Sequence, residues 1–317
     1  MRKKSAAAGA DVAKEFSKVY IMTPDMQVFK TLHITHNKLE DFEKLFVLLN
    51  QVKEDFGCST TVVLEATGHY HKILLRALVK RNIEVVVINP IQSDSIRNLN
   101  IRKVKNDKFD AKKLAALFHV KEGDFQVVTR VDSEIDALKD LVRQYYAYKD
   151  EITMHKLRLG SFVDRVMLGY DKILKLSSVA GLTVLKAYPS PRALLRARKS
   201  TLLRLLRESS RKGPTWALNK YEALMAMARI MVELGEPGLH LAEIIRREIA
   251  QIEYIQGLCD HIVADIKALI DESRRSDASD LAHIIDLLDS IPGIGILTAA
   301  TLLAEFGDPD AFRSAQA

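Results

Sequence analysis

Cysteine is nearly missing from this chain: Cys58 and Cys259 are the two examples in 317 residues. They stand far apart, with no second Cys or His at ligand spacing. This argues against a disulfide scaffold and a zinc site, and for a reducing compartment. Long apolar runs are missing too, and none approaches the ~20 residues of a membrane span. The amino terminus opens with charge and then small residues, as a secretory signal does. Asp11 interrupts it before the roughly 7–15-residue apolar core such a signal needs, so the expected location is the cytoplasm. A Walker-type phosphate loop is also missing, so ATP use is not expected. Internal repeats and low-complexity tracts are absent.

What is there is length and clustered positive charge. At roughly 150 residues per domain the chain suggests about two domains. The net charge is +6 and the pI about 9.1, a moderate excess that matters because it is gathered. Eight basic residues and one acid lie between Arg192 and Gly213, including Arg192, Arg196, Arg198 and Lys199. Seven basic residues and two acids lie between Arg97 and Lys113, including Arg102, Lys103, Lys105 and Lys108. Such clusters point to a polyanionic partner, most often nucleic acid, with the solvated helix face as the plain alternative. On the nucleic-acid reading the protein is nucleoid-associated.

Periodicity changes part-way along. Residues 7 to about 125 read as α/β. Lys18–Thr23 and Gln27–Thr35 are strand-like and flank the turn Pro24-Asp25-Met26, so they read as a hairpin. Leu39–Val52 is an amphipathic helix, Thr60–Leu64 a buried strand, His69–Arg81 a helix, Glu84–Ile88 a strand and Phe109–Val120 a helix. A mixed sheet with helices packed against it follows. From about Asp132 the pattern is nearly all helical. Gly160, Pro189-Ser190-Pro191, Gly213-Pro214 and Gly235–Gly238 read as breakers. Over Leu241–Ile270 a heptad places Ile245, Ile252, Cys259 and Ile266 at one position and Ile249, Gln256, Val263 and Ile270 at the other. This is a coiled-coil seam, read as self-association slightly ahead of packing within the chain. The expected divisions are 1–127, a metal-binding α/β domain; 128–279, a helical, partly coiled-coil region for nucleic-acid binding and oligomerisation; and 280–317, the incomplete start of a further helical domain.

Four carboxylates carry the chemical signal. Asp11 lies in the small-residue stretch Ala10-Asp11-Val12-Ala13-Lys14. Glu65 closes the apolar strand Val62-Val63-Leu64, at the strand end where open α/β sheets place their ligands. Asp107 and Asp110 open a helix three residues apart, on one face. Magnesium wants a few hard oxygen ligands, and a two-metal phosphoryl-transfer site needs several carboxylates to hold its ions. Lys14 and the basic residues around Asp107 and Asp110 would guide a nucleic-acid backbone to them. Taken singly, each acid has an ordinary alternative, such as Asp107 as a helix N-cap; their ordered set is the signal.

These motifs resemble the IS110 family of transposases. Asp11-Val12-Ala13-Lys14 is similar to that family's first acidic block, and Glu65-Ala66-Thr67-Gly68-His69-Tyr70 to its second. Asn89-Pro90, the basic stretch and Lys105-Asn106-Asp107-Lys108-Phe109-Asp110-Ala111 are similar to the third, with Asn106 where the family more often has threonine. Ile291-Pro292-Gly293-Ile294-Gly295 through Leu303-Ala304-Glu305-Phe306-Gly307-Asp308 resembles the start of its second domain. The resemblance implies an RNase H-like (RuvC-like) amino-terminal domain, with Asp11, Glu65, Asp107 and Asp110 binding one or two magnesium ions. It also implies DNA as substrate, a structured guide RNA from the element and a homo-oligomer with composite sites. The family's serine nucleophile belongs to a Gly-Leu-x-Pro…Ser-Gly segment after the Gly307-Asp308 block. The sequence reaches Ala317 first, and Ser314 lacks that context, so the chain is expected to be cut before the serine. Pro292-Gly293-Ile294-Gly295 also has the pattern of a helix-hairpin-helix turn, where Gly293 and Gly295 would let backbone N–H groups approach a phosphate. The alternative there is simple helix packing. A hydrolytic nuclease using the same acids and an inactive nucleic-acid-binding remnant stay open beside the recombinase.

Overall fold

A computed structural model describes residues 5–66, 68–89, 107–120, 125, 127–128, 133–235, 240–276 and 280–307, with the side chains of 107–109 and 133 left out. The chain divides into two compact units, Met1–Asp132 and Ser133–Ala317.

The first unit is a six-stranded mixed sheet with helices, as the RNase H-like expectation requires. In chain order its elements are β1 (Ala6–Val12), β2 (Phe16–Met22), β3 (Val28–Thr35), α1 (Leu39–Phe56), β4 (Thr60–Glu65), α2 (His71–Val79), β5 (Val85–Ile88), α3 (Asp107–Val120) and β6 (Val127–Val128). The sheet order is β3-β2-β1-β4-β5-β6. β1, β4 and β5 run parallel, while β2, β3 and β6 run against their neighbours. The hairpin forms where it is expected, and Met26 takes the left-handed conformation at its tip, φ 63°.

Alternation along the strands sorts the core into two layers. Ala6, Ala8, Ala10, Val62 and Leu64 pack with Phe42, Leu45, Leu74 and Leu78 of α1 and α2. Ala7, Val63 and Val86 pack with Ala111, Leu114 and Ala115 of α3 on the opposite face. The run of small residues in β1 has a steric cause. A Cβ on Gly9 would fall 2.0 Å from the Ala111 carbonyl oxygen and 2.6 Å from the Ala115 nitrogen. Backbone meets backbone there, so α3 seats on β1 only because Gly9 has no side chain.

The second unit is helical: α4 (Ser133–Val166), α5 (Tyr170–Ile173), α6 (Val179–Ala187), α7 (Pro191–Leu195), α8 (Lys199–Glu208), α9 (Pro214–Leu234), α10 (His240–Ser273), α11 (Leu281–Asp289) and α12 (Ile296–Phe306). Its axis is an antiparallel pair of α4 and α10. Leu138 and Val142 share a core with Ile266 and Ile270, while further along α4 His155 Nδ1 lies 2.7 Å from Glu248 Oε2. α11 and α12 complete the end of the pair that holds Leu138, through Ile285, Ala299, Ala300 and Leu303.

Two expectations need correction here. Gly160 lies inside α4 and does not break it. One glycine costs a helix only about 1 kcal/mol relative to alanine, too little to interrupt a helix buried along its length by Ile152, Leu159 and Val163. The seam of α10 is also covered within its own unit, by α4, and is no free surface for a second copy. Ile245, Ile252, Cys259 and Ile266 are buried as expected, but Gln256 is exposed and Val263 half-buried, while Ile255 and Ile262 are buried instead. The first seam position thus stays buried throughout, while the second is buried at Ile249 and Ile270 and moves to the preceding residue between them. No helix among the described residues is long and apolar enough to cross a membrane.

Candidate functional site

The sheet brings two of the four carboxylates side by side. β1 and β4 pair in parallel from Ala6–Thr60 to Ala10–Leu64, and the next residue on each strand is Asp11 and Glu65. Both continue the alternation of Ala7 and Gly9, and of Val63, so both project from the face that α3 covers. Each is half-buried. At Glu65 the apolar run of β4 has ended one residue earlier and the strand closes, while Asp11 stands one residue before the end of β1.

α3 carries the other pair. Its first turn begins at Asp107 and contains Asp110. Asp110 comes one residue before Ala111, whose carbonyl meets Gly9, and Asp11 lies two residues beyond Gly9 on the strand. Asp110 is half-buried and holds Lys113 at 3.4 Å across one helical turn. The Asp107 side chain lies outside the described residues. Among those described, no three His, Cys, Asp or Glu side chains are close enough together to hold a metal ion.

The basic candidates fall in three places. Lys14 is exposed just past β1. Arg102, Lys103 and Lys105 lie outside the described residues, as does the Lys108 side chain. In the second unit Arg192, Arg196, Arg198 and Lys199 are all exposed at α7 and the start of α8. Leu194, Leu202 and Leu206 bury the opposite side of these helices, so the cluster is the outer face of an amphipathic pair. The Lys199 ammonium stands 5.4 Å from the Tyr221 ring centroid.

Gly293 and Gly295 form the exposed turn between α11 and α12. Gly293 adopts φ 93°, a conformation that glycine takes without strain. The α12 amino terminus that follows has no side-chain cap and no acid in its first turn.

Known proteins give these placements a context. Residues 8–168, just over half of the chain, match the transposase family model for the DEDD domain of the IS110 type. Residues 285–317 match the family described as transposase IS116/IS110/IS902. The chain belongs to the IS110 family of transposases. The first match takes in Asp11, Glu65, Asp107 and Asp110, and the second takes in Gly293 and Gly295. No curated protein matches this IS110-family chain. A solved structure described as T. thermophilus RuvC in complex with Holliday junction substrate is similar over 39% of this chain and 99% of its own, at 12% identity and TM-score 0.28; a likeness that weak carries no argument.

One feature of the first unit escaped the sequence reading. Lys18 lies directly opposite Asp11, and His33 directly opposite Lys18. Hairpin alternation alone gives the order of these residues along their own strands. It does not give the register that lines them up with the carboxylate.

Proposed function

We propose that this IS110-family chain cleaves and exchanges DNA strands in a magnesium-dependent reaction, with Asp11, Glu65, Asp107 and Asp110 as the metal ligands. The observation that carries the reading is the position of Asp11 and Glu65 on the ends of neighbouring parallel strands, on the face where α3 begins. The donor set fits the ion in kind, because magnesium takes hard oxygens and these are all carboxylates. When bound there, the ion neutralises charge that builds on a reacting phosphate. Asp11 and Glu65 are fixed by strand pairing, so their separation is set before substrate arrives. Asp107 and Asp110 come from one helical turn, at a spacing of three residues.

The basic residues hold the substrate. Lys14, Arg102, Lys103, Lys105 and Lys108 grip the DNA backbone beside the acids. Arg192, Arg196, Arg198 and Lys199, with the Gly293–Gly295 turn, form a second contact in the helical unit. Phosphate contacts of this kind position nucleic acid without reading its sequence, which suits division of labour with a guide RNA as the reader. A homo-oligomer, working in the cytoplasm at the nucleoid, completes the reading.

The test uses Asp11→Asn and Glu65→Gln in the full chain, assayed on DNA with magnesium. Both are expected to abolish strand cleavage while leaving the circular dichroism spectrum and salt-dependent DNA binding intact. Cleavage at the wild-type rate by either variant would remove the metal role. The wild-type product separates the rival chemistries: a covalent protein–DNA adduct indicates a serine nucleophile, and free 5′-phosphate ends indicate a hydrolytic nuclease. Salt-sensitive binding with no cleavage indicates a binding protein.

A further inference from the structure

The first unit carries a row of side chains that leads from the carboxylates to the open edge of the sheet. Asp11 on β1 pairs with Lys18 on β2, and Lys18 pairs with His33 on β3. Directly paired residues on antiparallel strands share a face, so the three side chains line up on one side of the sheet. At roughly 4.8 Å between strands the row is about 10 Å long, the span of about three phosphates of a stacked strand. β3 is the edge strand.

Aromatic rings and cations flank the row. Phe16, two residues before Lys18, stacks on His33 with ring centroids 4.6 Å apart and planes 27° from parallel. The Lys18 ammonium lies 5.7 Å from the Phe16 ring centroid. One step inward, Tyr20 stands opposite Gly9, and Lys112 of α3 lies 6.0 Å from its ring. His33 is exposed, and Phe16 and Lys18 are half-buried. Phe16 packs into neither core layer of the unit. A stacked ring pair outside the core, bracketed by ammonium groups, is a surface made for a flat ring carrying negative charge alongside it.

We infer that this face is a docking platform for an unpaired DNA strand. One base stacks on the Phe16–His33 pair, Lys18 and Lys112 hold the neighbouring phosphates, and the strand continues along the row to Asp11. Stacking on aromatic side chains, His among them, within a basic track is how single strands are held without sequence preference. Continuity with Asp11 selects DNA as the occupant, and in this the inference rests on the carboxylate reading above. Duplex DNA offers no free base face and gains only the phosphate contacts.

The experiment is fluorescence anisotropy of the full chain with a labelled oligothymidylate, its RNA counterpart and a labelled duplex, in EDTA so that no cleavage intervenes. Phe16→Leu combined with His33→Ala is expected to weaken oligothymidylate binding about tenfold, the loss of one stacked base, and to leave duplex binding unchanged. Phe16→Tyr keeps a ring and is expected to keep the affinity, which separates stacking from loss of fold. Equal affinity of the double variant and wild type for the oligothymidylate overturns the inference, as does equal loss on duplex or a larger loss on RNA. The affinities are read in EDTA, where no metal takes part, whereas the metal reading is tested by cleavage with magnesium, so failure of the platform and failure of the metal reading give different results.

Discussion

Each unit contains a glycine with no room for a methyl group, and the two glycines do different work. A Cβ on Gly9 would strike the backbone of α3, a helix far away in sequence. A Cβ on Gly181 would fall 2.1 Å from the Lys175 carbonyl oxygen and 3.1 Å from Ser178 Oγ, within the loop that leads into its own helix. The first contact is long-range and sets the helix that carries Asp107 and Asp110 against the strand that carries Asp11. The second is local. It closes a turn in which Ser178 Oγ accepts from the Gly181 N–H at 3.1 Å, and the buried Tyr170 hydroxyl donates to the Gly181 carbonyl at 2.7 Å. Close packing in the sheet unit therefore fixes the candidate site, while in the helical unit it fixes a corner of the scaffold.

Substitution at each corner breaks the comparison most directly. Gly9→Val is expected to cost about 3 kcal/mol or more, the upper range for overpacking, because the Ala111 oxygen and the Ala115 nitrogen are backbone atoms and cannot rotate away. Hydrogen exchange would show α3 amides losing protection while α10 amides keep theirs. Equal loss in both would mean that the units do not unfold separately. Tyr170→Phe should cost less, about 1 kcal/mol, the net contribution of the one hydrogen bond it removes, and the loss should appear in α6 and not in α3. The same tyrosine gives a pH signature. Burial pushes its phenol up, against a smaller opposing pull from the Leu185 backbone. A raised folded pKa gives stability that is whole below the ordinary tyrosine value of about 10 and is lost as pH rises beyond it. Tyr170→Phe is expected to flatten that alkaline decline, measured as melting temperature against pH.

The sequence reading reached the sheet unit further than the helical one, for physical reasons. Strand alternation, the Pro24–Met26 turn and the α1 stripe are local signals, and each element appears within a few residues of its expected place. β6 has two residues, Val127 and Val128, too few for any period. In the helical unit the boundary residues Pro191, Gly213 and Pro214 were legible, but Gly160 misled, because burial of a helix outweighs the propensity of one residue. The α10 stripe showed its period and hid its partner, since an apolar face reads alike whether α4 or a second chain covers it. At the candidate site, residue types and order were visible, and the closeness of Asp11 to Glu65 was not. It depends on the β1–β4 register, which no local pattern encodes.

Two surface contacts sharpen the comparison at its smallest scale. In the helical unit Arg143 Nε and Nη2 reach Glu305 at 2.9 and 3.0 Å, joining α4 to α12. Both side chains are exposed, so a double-mutant cycle with Arg143→Ala and Glu305→Ala is expected to return at most about 1 kcal/mol. In the sheet unit the Asp41 carboxylate takes the Lys44 ammonium at 2.9 Å and the Thr35 backbone N–H at 3.1 Å, tying the first turn of α1 to the end of β3. Lys44, then Thr35, hold its pKa down to about 2. A depressed folded pKa gives stability that is present above the ordinary aspartate value of about 3.9 and is lost as pH falls through about 2. Asp41→Asn should therefore flatten the acid limb of the sheet unit in that window and leave the helical unit's limb unchanged. The measurement is α1 amide protection against α4 amide protection as pH is lowered. An unchanged acid limb in α1 would show that neither the Lys44 contact nor the Thr35 hydrogen bond favours the charged Asp41 carboxylate in the folded chain over the unfolded one.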